Sequence, residues 1–253
     1  MRLTRSILHL LWMAVTVIPW ATFVIIASLF VSSTRMYWMC AGWLKVAVNG
    51  GTAILGIQNR ITGFENLPVG EKDPAVLLVK HQSTWETLVM PAIMPHPLAY
   101  VFKKELLYVP FFGWSMARMD MIHIDRSHGA QAFHKVVEQG RRLMQQGTWV
   151  IMFPEGTRIP RGQVGNYKSG GTRLAIQCGV PVIPIAVTSA KCWPRKAFIK
   201  TPGIVDISIG KPIPSVGRKP DELMKEVQDW IEAEMHRLDP EAYGLPARTD
   251  APR

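Results

Sequence analysis

The sequence has 253 residues, which is enough for one large domain or for a domain of about 200 residues with an appendage. It carries 29 Lys and Arg against 19 Asp and Glu, a net charge of +10, which suits either nucleic acid or an anionic membrane as a partner. The basic residues are scattered, no nucleic-acid-binding motif occurs, and the basic N-terminal part is strongly apolar. The composition therefore favours an anionic membrane and argues against nucleic acid.

The first 64 residues contain no acidic side chain, and positions 7–31 are almost wholly apolar. As a helix this run would be about 37 Å long, enough to cross a hydrocarbon layer of about 30 Å with some tilt. A cleaved signal peptide has a shorter apolar core, and a helix packed in a soluble core usually has a polar face, which this run lacks. The run is predicted to enter a membrane.

A second apolar stretch follows at 36–57, interrupted by Lys45, Asn49 and the pair Gly50-Gly51. Its aromatic residues suit the headgroup level of a membrane. A helical hairpin embedded in one leaflet is the preferred interpretation, and a single full span is the alternative.

From Ile61 the pattern changes to short apolar runs separated by Pro, Gly and charged residues. Strands are predicted at 76–79, 99–102, 121–124, 149–153, 182–187 and 205–209, and helices at 130–146, 172–178 and 221–238. Alternation of this kind predicts an α/β fold with a mainly parallel sheet flanked by helices. The predicted organisation is a membrane-anchoring helical segment at 1–60, an α/β domain at 61–240 and a loose tail at 241–253.

The stretch KHQSTWET at positions 80–87 follows the apolar run AVLLV, which is typical of a short buried strand. Ser83 and Glu86 have the spacing of a capping box, so a helix is predicted to start there. His81 then lies in the turn between a strand and a helix, where open α/β folds bind ligands. Glu86 is close enough in sequence to hold the imidazole as a general base, although the same two residues also fit an ordinary turn histidine and a helix cap.

A second apolar strand, WVIMF at 149–153, runs into the turn Pro154-Glu155-Gly156-Thr157-Arg158. Backbone N–H groups and a guanidinium in such a turn can bind an anion, and a solvated Glu–Arg pair is the alternative. Two further strand ends carry charge, at Lys103-Lys104 and at Asp125-Arg126. Parallel strands would place all these ends at one edge of the sheet, which indicates a shared site for an anionic ligand.

These blocks, taken together and in order, resemble the 1-acylglycerol-3-phosphate acyltransferase family. The resemblance rests on His81-x4-Glu86, on KKELLYVPFFGW and IDR at 103–114 and 124–126, on FPEGTR at 153–158 and on VPVIPIAV at 180–187. It spans roughly 75–209, and an apolar N-terminal segment is usual in that family.

The resemblance implies transfer of a fatty acyl group from acyl-CoA or acyl-carrier protein to the sn-2 hydroxyl of lysophosphatidic acid, with no further cofactor. It implies His81 as the general base held by Glu86, and Glu155, Gly156 and Thr157 in the acceptor site. The glycerol phosphate would be bound by Arg158 together with Lys104 and Arg126. The acceptor would be a membrane lipid, and the protein would lie in the inner membrane with its catalytic domain facing the cytoplasm.

Two residues depart from the pattern of that family. Glu86 stands where the family usually has Asp. Asp120 stands where the family usually has a Gly, shortly before the strand predicted at 121–124. Two alternatives stay open: the same chemistry on glycerol 3-phosphate or another lyso-lipid, and a catalytically inactive lipid-binding protein.

No metal site is predicted, because Cys40, Cys178 and Cys192 have neither CxxC nor metal-ligand spacing. They are interpreted as free thiols in a reducing compartment.

Overall fold

The computed structural model describes residues 1–68, 70, 73–108, 118–124 and 129–244. The helices are α1 (Arg2–Ala27), α2 (Ser33–Gly50), α3 (Trp85–Ile93), α4 (Gly129–Gln145), α5 (Gly170–Cys178) and α6 (Pro220–Leu238). The strands are β1 (Ile57–Thr62), β2 (Val76–Val79), β3 (Leu98–Lys103), β4 (Ile122–Ile124), β5 (Trp149–Met152), β6 (Val182–Val187) and β7 (Gly203–Ile209).

The strands form one sheet in the order β1-β7-β6-β2-β5-β3-β4. Every neighbouring pair is parallel except β6 and β7. The predicted α/β fold with a mainly parallel sheet is therefore confirmed. Since β2, β3, β4 and β5 point the same way, their carboxyl ends lie at one edge of the sheet, where ligands bind in folds of this kind.

Both faces of the sheet are covered, and β2 shows how its sequence achieves this. Leu77 and Val79 pack in the core beneath α2 and α3, whereas Val76 and Leu78 pack in the core beneath α4, α5 and α6. A strand buried on both faces needs a continuous apolar run rather than alternation. This is why AVLLV could be assigned as a strand from sequence.

The strand β1 was missing from the prediction, because 57–62 was divided between the second apolar stretch and the start of the globular part. Only Ile57 of this strand is buried, as expected at the edge of a sheet, so its sequence lacks a strong strand pattern. The sheet nevertheless begins there, and β1 pairs with β7 along its whole length.

The two N-terminal helices pack on each other, and α2 also packs on α3. The pair Gly50-Gly51 makes this possible. A Cβ at Gly50 would lie 2.3 Å from Trp12 of α1, and one at Gly51 would lie 2.6 Å from Trp85 at the start of α3. The glycines therefore let the end of α2 approach both α1 and α3 closely.

Most of the apolar surface of α1 is left exposed. Leu11, Val15, Ile18 and Phe23 are each more than half accessible. The helix is long and apolar enough to cross a membrane, and only 6% of its most apolar window is buried. An apolar surface of this size is unfavourable in water and fits lipid.

Candidate active site

His81 lies in the turn between β2 and α3, as predicted, and four contacts fix its position. Its Nδ1 is 3.2 Å from Glu86 Oε1, and its backbone N–H donates to Glu155 Oε2 at 2.8 Å. Its carbonyl accepts from the Ile159 N–H at 2.8 Å, and its ring stacks on Phe153 with the centroids 4.0 Å apart. The imidazole is thus held both by its ring and by its main chain.

Glu86 is buried and acts in two ways at once. Its Oε1 accepts from the N–H groups of Gln82, at 2.5 Å, and Ser83, at 2.7 Å, besides its contact with His81. The Ser83 bond is one half of the predicted capping box. The other half was predicted wrongly: the Ser83 hydroxyl accepts from the N–H of Trp85, at 3.0 Å, instead of that of Glu86, and the N-cap residue of α3 is Thr84.

This geometry defines which nitrogen of His81 can take a proton. A carboxylate only accepts hydrogen bonds, so the contact with Glu86 places a proton on Nδ1 and leaves Nε2 as the basic nitrogen. The carboxylate also stabilises the imidazolium that forms after proton uptake. The pair can therefore serve as a general base toward a hydroxyl.

Glu155 is turned into the protein. Its Oε1 lies 2.8 Å from Lys80 Nζ, its Oε2 accepts the His81 N–H, and its side chain is fully buried. Burial raises the pKa of Glu155 above its ordinary value, while the Lys80 ammonium and the His81 N–H act in the opposite direction. Its predicted contact with the acceptor stays a prediction, and what the structure adds is a bond to the backbone of His81.

The last three residues of the Pro154–Arg158 turn are more open than Glu155. Gly156 has φ of 65°, a left-handed conformation that favours glycine, and Thr157 is exposed. Arg158 is half-buried, and its carbonyl accepts from Arg195 Nη1 at 2.9 Å. Because Ile159 bonds to His81, this turn and the β2–α3 turn are joined at the same edge of the sheet.

The other two predicted basic residues are only partly within the described chain. Lys104 begins a 3-10 helix directly after β3, at the same edge as His81, and its side chain is not described. Arg126 lies outside the described residues. Their roles stay predictions.

Sequence reasoning missed a buried polar cluster behind His81. Lys80 Nζ lies 2.6 Å from Glu232 Oε1 of α6 as well as 2.8 Å from Glu155, and the hydroxyl of Tyr167 donates to the same Glu232 oxygen at 2.7 Å. One signal was present, since a lysine directly after a fully buried strand needs a buried partner. Nothing in the sequence indicated that the partner would come from a helix 152 positions later.

Within the described part of the chain, no three His, Cys, Asp or Glu side chains are placed to hold a metal ion. The absence of a metal stays an expectation from sequence.

Comparison with known proteins shows the family to which the chain belongs. The Acyltransferase family profile matches residues 58–188, which include both turns at the sheet edge. The 1-acyl-sn-glycerol-3-phosphate acyltransferase of Pseudomonas aeruginosa is 37% identical over 93% of this chain and 92% of its own length. The chain therefore belongs to the acyltransferase family.

More distant relatives and a solved structure extend the comparison. The human 1-acyl-sn-glycerol-3-phosphate acyltransferase alpha is 30% identical over 67% of this chain and 60% of its own length. The crystal structure of the 1-acyl-sn-glycerophosphate acyltransferase of Thermotoga maritima superposes with a TM-score of 0.77 at 23% identity, covering 94% of this chain and 98% of that one. This last likeness concerns the fold.

Proposed function

We propose that this protein transfers a fatty acyl group from acyl-CoA or acyl-carrier protein to the sn-2 hydroxyl of lysophosphatidic acid, giving phosphatidic acid. The observation that carries the proposal is the His81–Glu86 pair, held in a buried turn at the carboxyl edge of a parallel sheet, in a chain of the acyltransferase family. The names of its relatives support lysophosphatidic acid as the acceptor, and the His81–Glu86 contact supports His81 as a base suited to a hydroxyl.

The proposed reaction needs one proton transfer and one displacement. His81 Nε2 takes the proton of the sn-2 hydroxyl while that oxygen attacks the thioester carbonyl, forming the new ester C–O bond. The C–S bond then breaks, and the proton passes from the imidazolium to the leaving thiolate. General-base assistance of this kind contributes about 10²–10⁴-fold in rate.

The phosphate of the acceptor is proposed to bind Arg158, with Lys104 and Arg126. A guanidinium can donate two parallel hydrogen bonds to phosphate oxygens, which orients the glycerol as well as attracting it. The fixed link between Ile159 and His81 would hold the Arg158 turn at a constant distance from the base.

The protein associates with a membrane. We propose that it does so through its N-terminal helices, at the inner membrane, with the catalytic domain on the cytoplasmic side. Basic residues and the absence of acidic ones before position 65 suit anionic lipid. A lipid acceptor could then move from the leaflet into a site that is packed against α2 through Trp85 and Gly51.

The test is thiol release from a long-chain acyl-CoA, and in parallel from acyl-carrier protein, by the detergent-solubilised full chain. Lysophosphatidic acid, glycerol 3-phosphate and a lyso-lipid without a free phosphate are compared as acceptors. The proposal expects turnover with lysophosphatidic acid. Turnover with only one of the other acceptors would show that this compound, and not lysophosphatidic acid, is the acceptor. Lipid binding without turnover for either donor would indicate an inactive binding protein.

Replacing Arg158 with alanine is expected to raise KM for lysophosphatidic acid by about 10–100-fold, because a hydrogen bond to a charged group contributes about 1.5–3 kcal/mol. The value of kcat should change less than KM. Steady-state kinetics over a range of acceptor concentrations measure both. Arg218→Ala, at an exposed arginine paired with Glu226, is the matched control, and equal KM values in the two variants would remove Arg158 from the phosphate site.

Cys192 is expected not to take part in an acyl-enzyme. Burial raises the pKa of its thiol to about 11, and the side chain is only 1% exposed. At pH 8 about one molecule in a thousand would carry the thiolate, the form that reacts. Maleimide treatment of the native protein at pH 8, followed by peptide mass mapping, should leave Cys192 unlabelled and turnover intact, whereas rapid labelling of Cys192 would contradict this.

A further inference from the structure

Three charged side chains lie together behind the catalytic turn, Lys80 and Glu155 buried and Glu232 partly exposed. Lys80 is fully buried, and its ammonium lies between the carboxylates of Glu155, at 2.8 Å, and Glu232, at 2.6 Å. Tyr167 completes the cluster through its bond to Glu232, and the Gln163 carbonyl lies 3.4 Å from Lys80 Nζ. One ammonium and two carboxylates give the cluster a formal charge of −1.

Stability alone is a weak explanation for such a cluster. Removing charges from water is costly, and well-packed apolar residues in place of a buried ion pair are often as stable or more stable. Lys80 also continues a strand that is otherwise apolar, with Val76 and Leu78 packed in the core on the α6 side. An apolar residue there would suit the core at least as well.

The cluster is connected to the base through one carboxylate. Lys80 reaches the α6 side of the sheet, whereas the next residue, His81, contacts Glu86 of α3 on the other side. Glu155 joins the two sides, because one of its oxygens binds Lys80 and the other accepts the His81 N–H. Any movement of the Glu155 carboxylate would therefore move the backbone that carries the imidazole.

We propose that Lys80 is a positioning residue for the transfer reaction: with Glu232 of α6 behind it, it holds Glu155 against the His81 N–H and so fixes the base. This inference rests on the proposed function, in which His81 is the base. It assigns Glu155 to the support of His81, and it gives the C-terminal helix a part in a site otherwise built from the two sheet-edge turns.

The test is the double variant Lys80→Met/Glu232→Gln in the full chain. It keeps the formal charge of the cluster at −1, since one carboxylate remains, while Glu155 loses its ammonium partner. A misplacement of about 1 Å can cost about 100-fold in rate, so kcat is expected to fall by about 10–100-fold with KM nearly unchanged. The matched control is Lys225→Met/Glu226→Gln, the same two changes at exposed positions of α6.

Two readouts separate positioning from loss of folding. In the His81→Ala background the double variant is expected to cause almost no further loss, because its effect passes through a base that is already absent. In hydrogen exchange, the peptide that covers 80–86 should exchange faster than in the wild type, while the peptide that covers β6 should not. Equal losses in both backgrounds, or faster exchange in both peptides, would reduce the cluster to a folding role.

The remaining outcomes are equally distinct. Activity equal to that of the control double variant would overturn the proposal for Lys80 while leaving the general-base role of His81 intact. Full activity of His81→Ala alone would instead show that His81 is not the base, and this would overturn the proposed mechanism.

Discussion

Replacing His81 with alanine is expected to lower kcat for acyl transfer to lysophosphatidic acid by about 10²–10⁴-fold, the usual contribution of a general base. The loss should appear in kcat rather than in KM, because the imidazole acts on a proton that moves only in the transition state. Initial rates of thiol release at saturating donor and acceptor measure it. The protein should remain folded, since the backbone bonds of this turn do not require the ring.

The matched control is His134→Ala, at an exposed position on α4. It should retain the turnover of the wild type. If His81→Ala keeps more than about a tenth of the wild-type kcat, the loss is smaller than the rate contribution of a general base, and His81 is not that base. If both variants lose activity equally, the cause is a general effect of the substitution on the protein.

The sheet was predictable from sequence where strands are buried on both faces. The predicted bounds of β2 and β6 agree with the structure, because a short apolar run between turn residues has few other solutions in a parallel sheet. The edge strand β1 could not be found in the same way, since five of its six residues are at least partly exposed and its stability comes from pairing with β7.

The site was predictable to the extent that it depends on local sequence. His81 and Glu86 are five positions apart and sit on one turn, so their contact follows from a strand end and a helix start. The direction of the Glu155 side chain does not follow from its motif, because it is set by Lys80 and by the His81 N–H, which follow the neighbouring strand β2. The contact between Glu232 and Lys80 could not be predicted from local sequence, because the pattern of α6 indicates only which face of the helix is apolar.

The second large effect is expected at Glu86. Glu86→Gln should lower kcat by about 10²-fold or more, because the amide keeps an oxygen for the N–H groups of Gln82 and Ser83 but has no charge to stabilise the imidazolium of His81. The amide nitrogen adds a further difficulty. Glu86 Oε2 is buried without a hydrogen-bond partner among the described residues, so an NH2 group in its place would have no acceptor.

Glu86→Asp separates the effect of the charge from that of the side-chain length. The variant is informative because the family usually has Asp at this position. Aspartate keeps the charge but is one methylene shorter, so a single oxygen cannot reach Gln82, Ser83 and His81 Nδ1 unless α3 moves toward the turn. We expect kcat to lie between those of the wild type and Glu86→Gln. Glu222→Gln, at an exposed glutamate paired with Lys219, controls for loss of a carboxylate and should retain full turnover. If Glu86→Gln instead matches the wild type in kcat, the carboxylate only caps α3, and the orientation of His81 must then come from its stacking on Phe153 and its two backbone bonds.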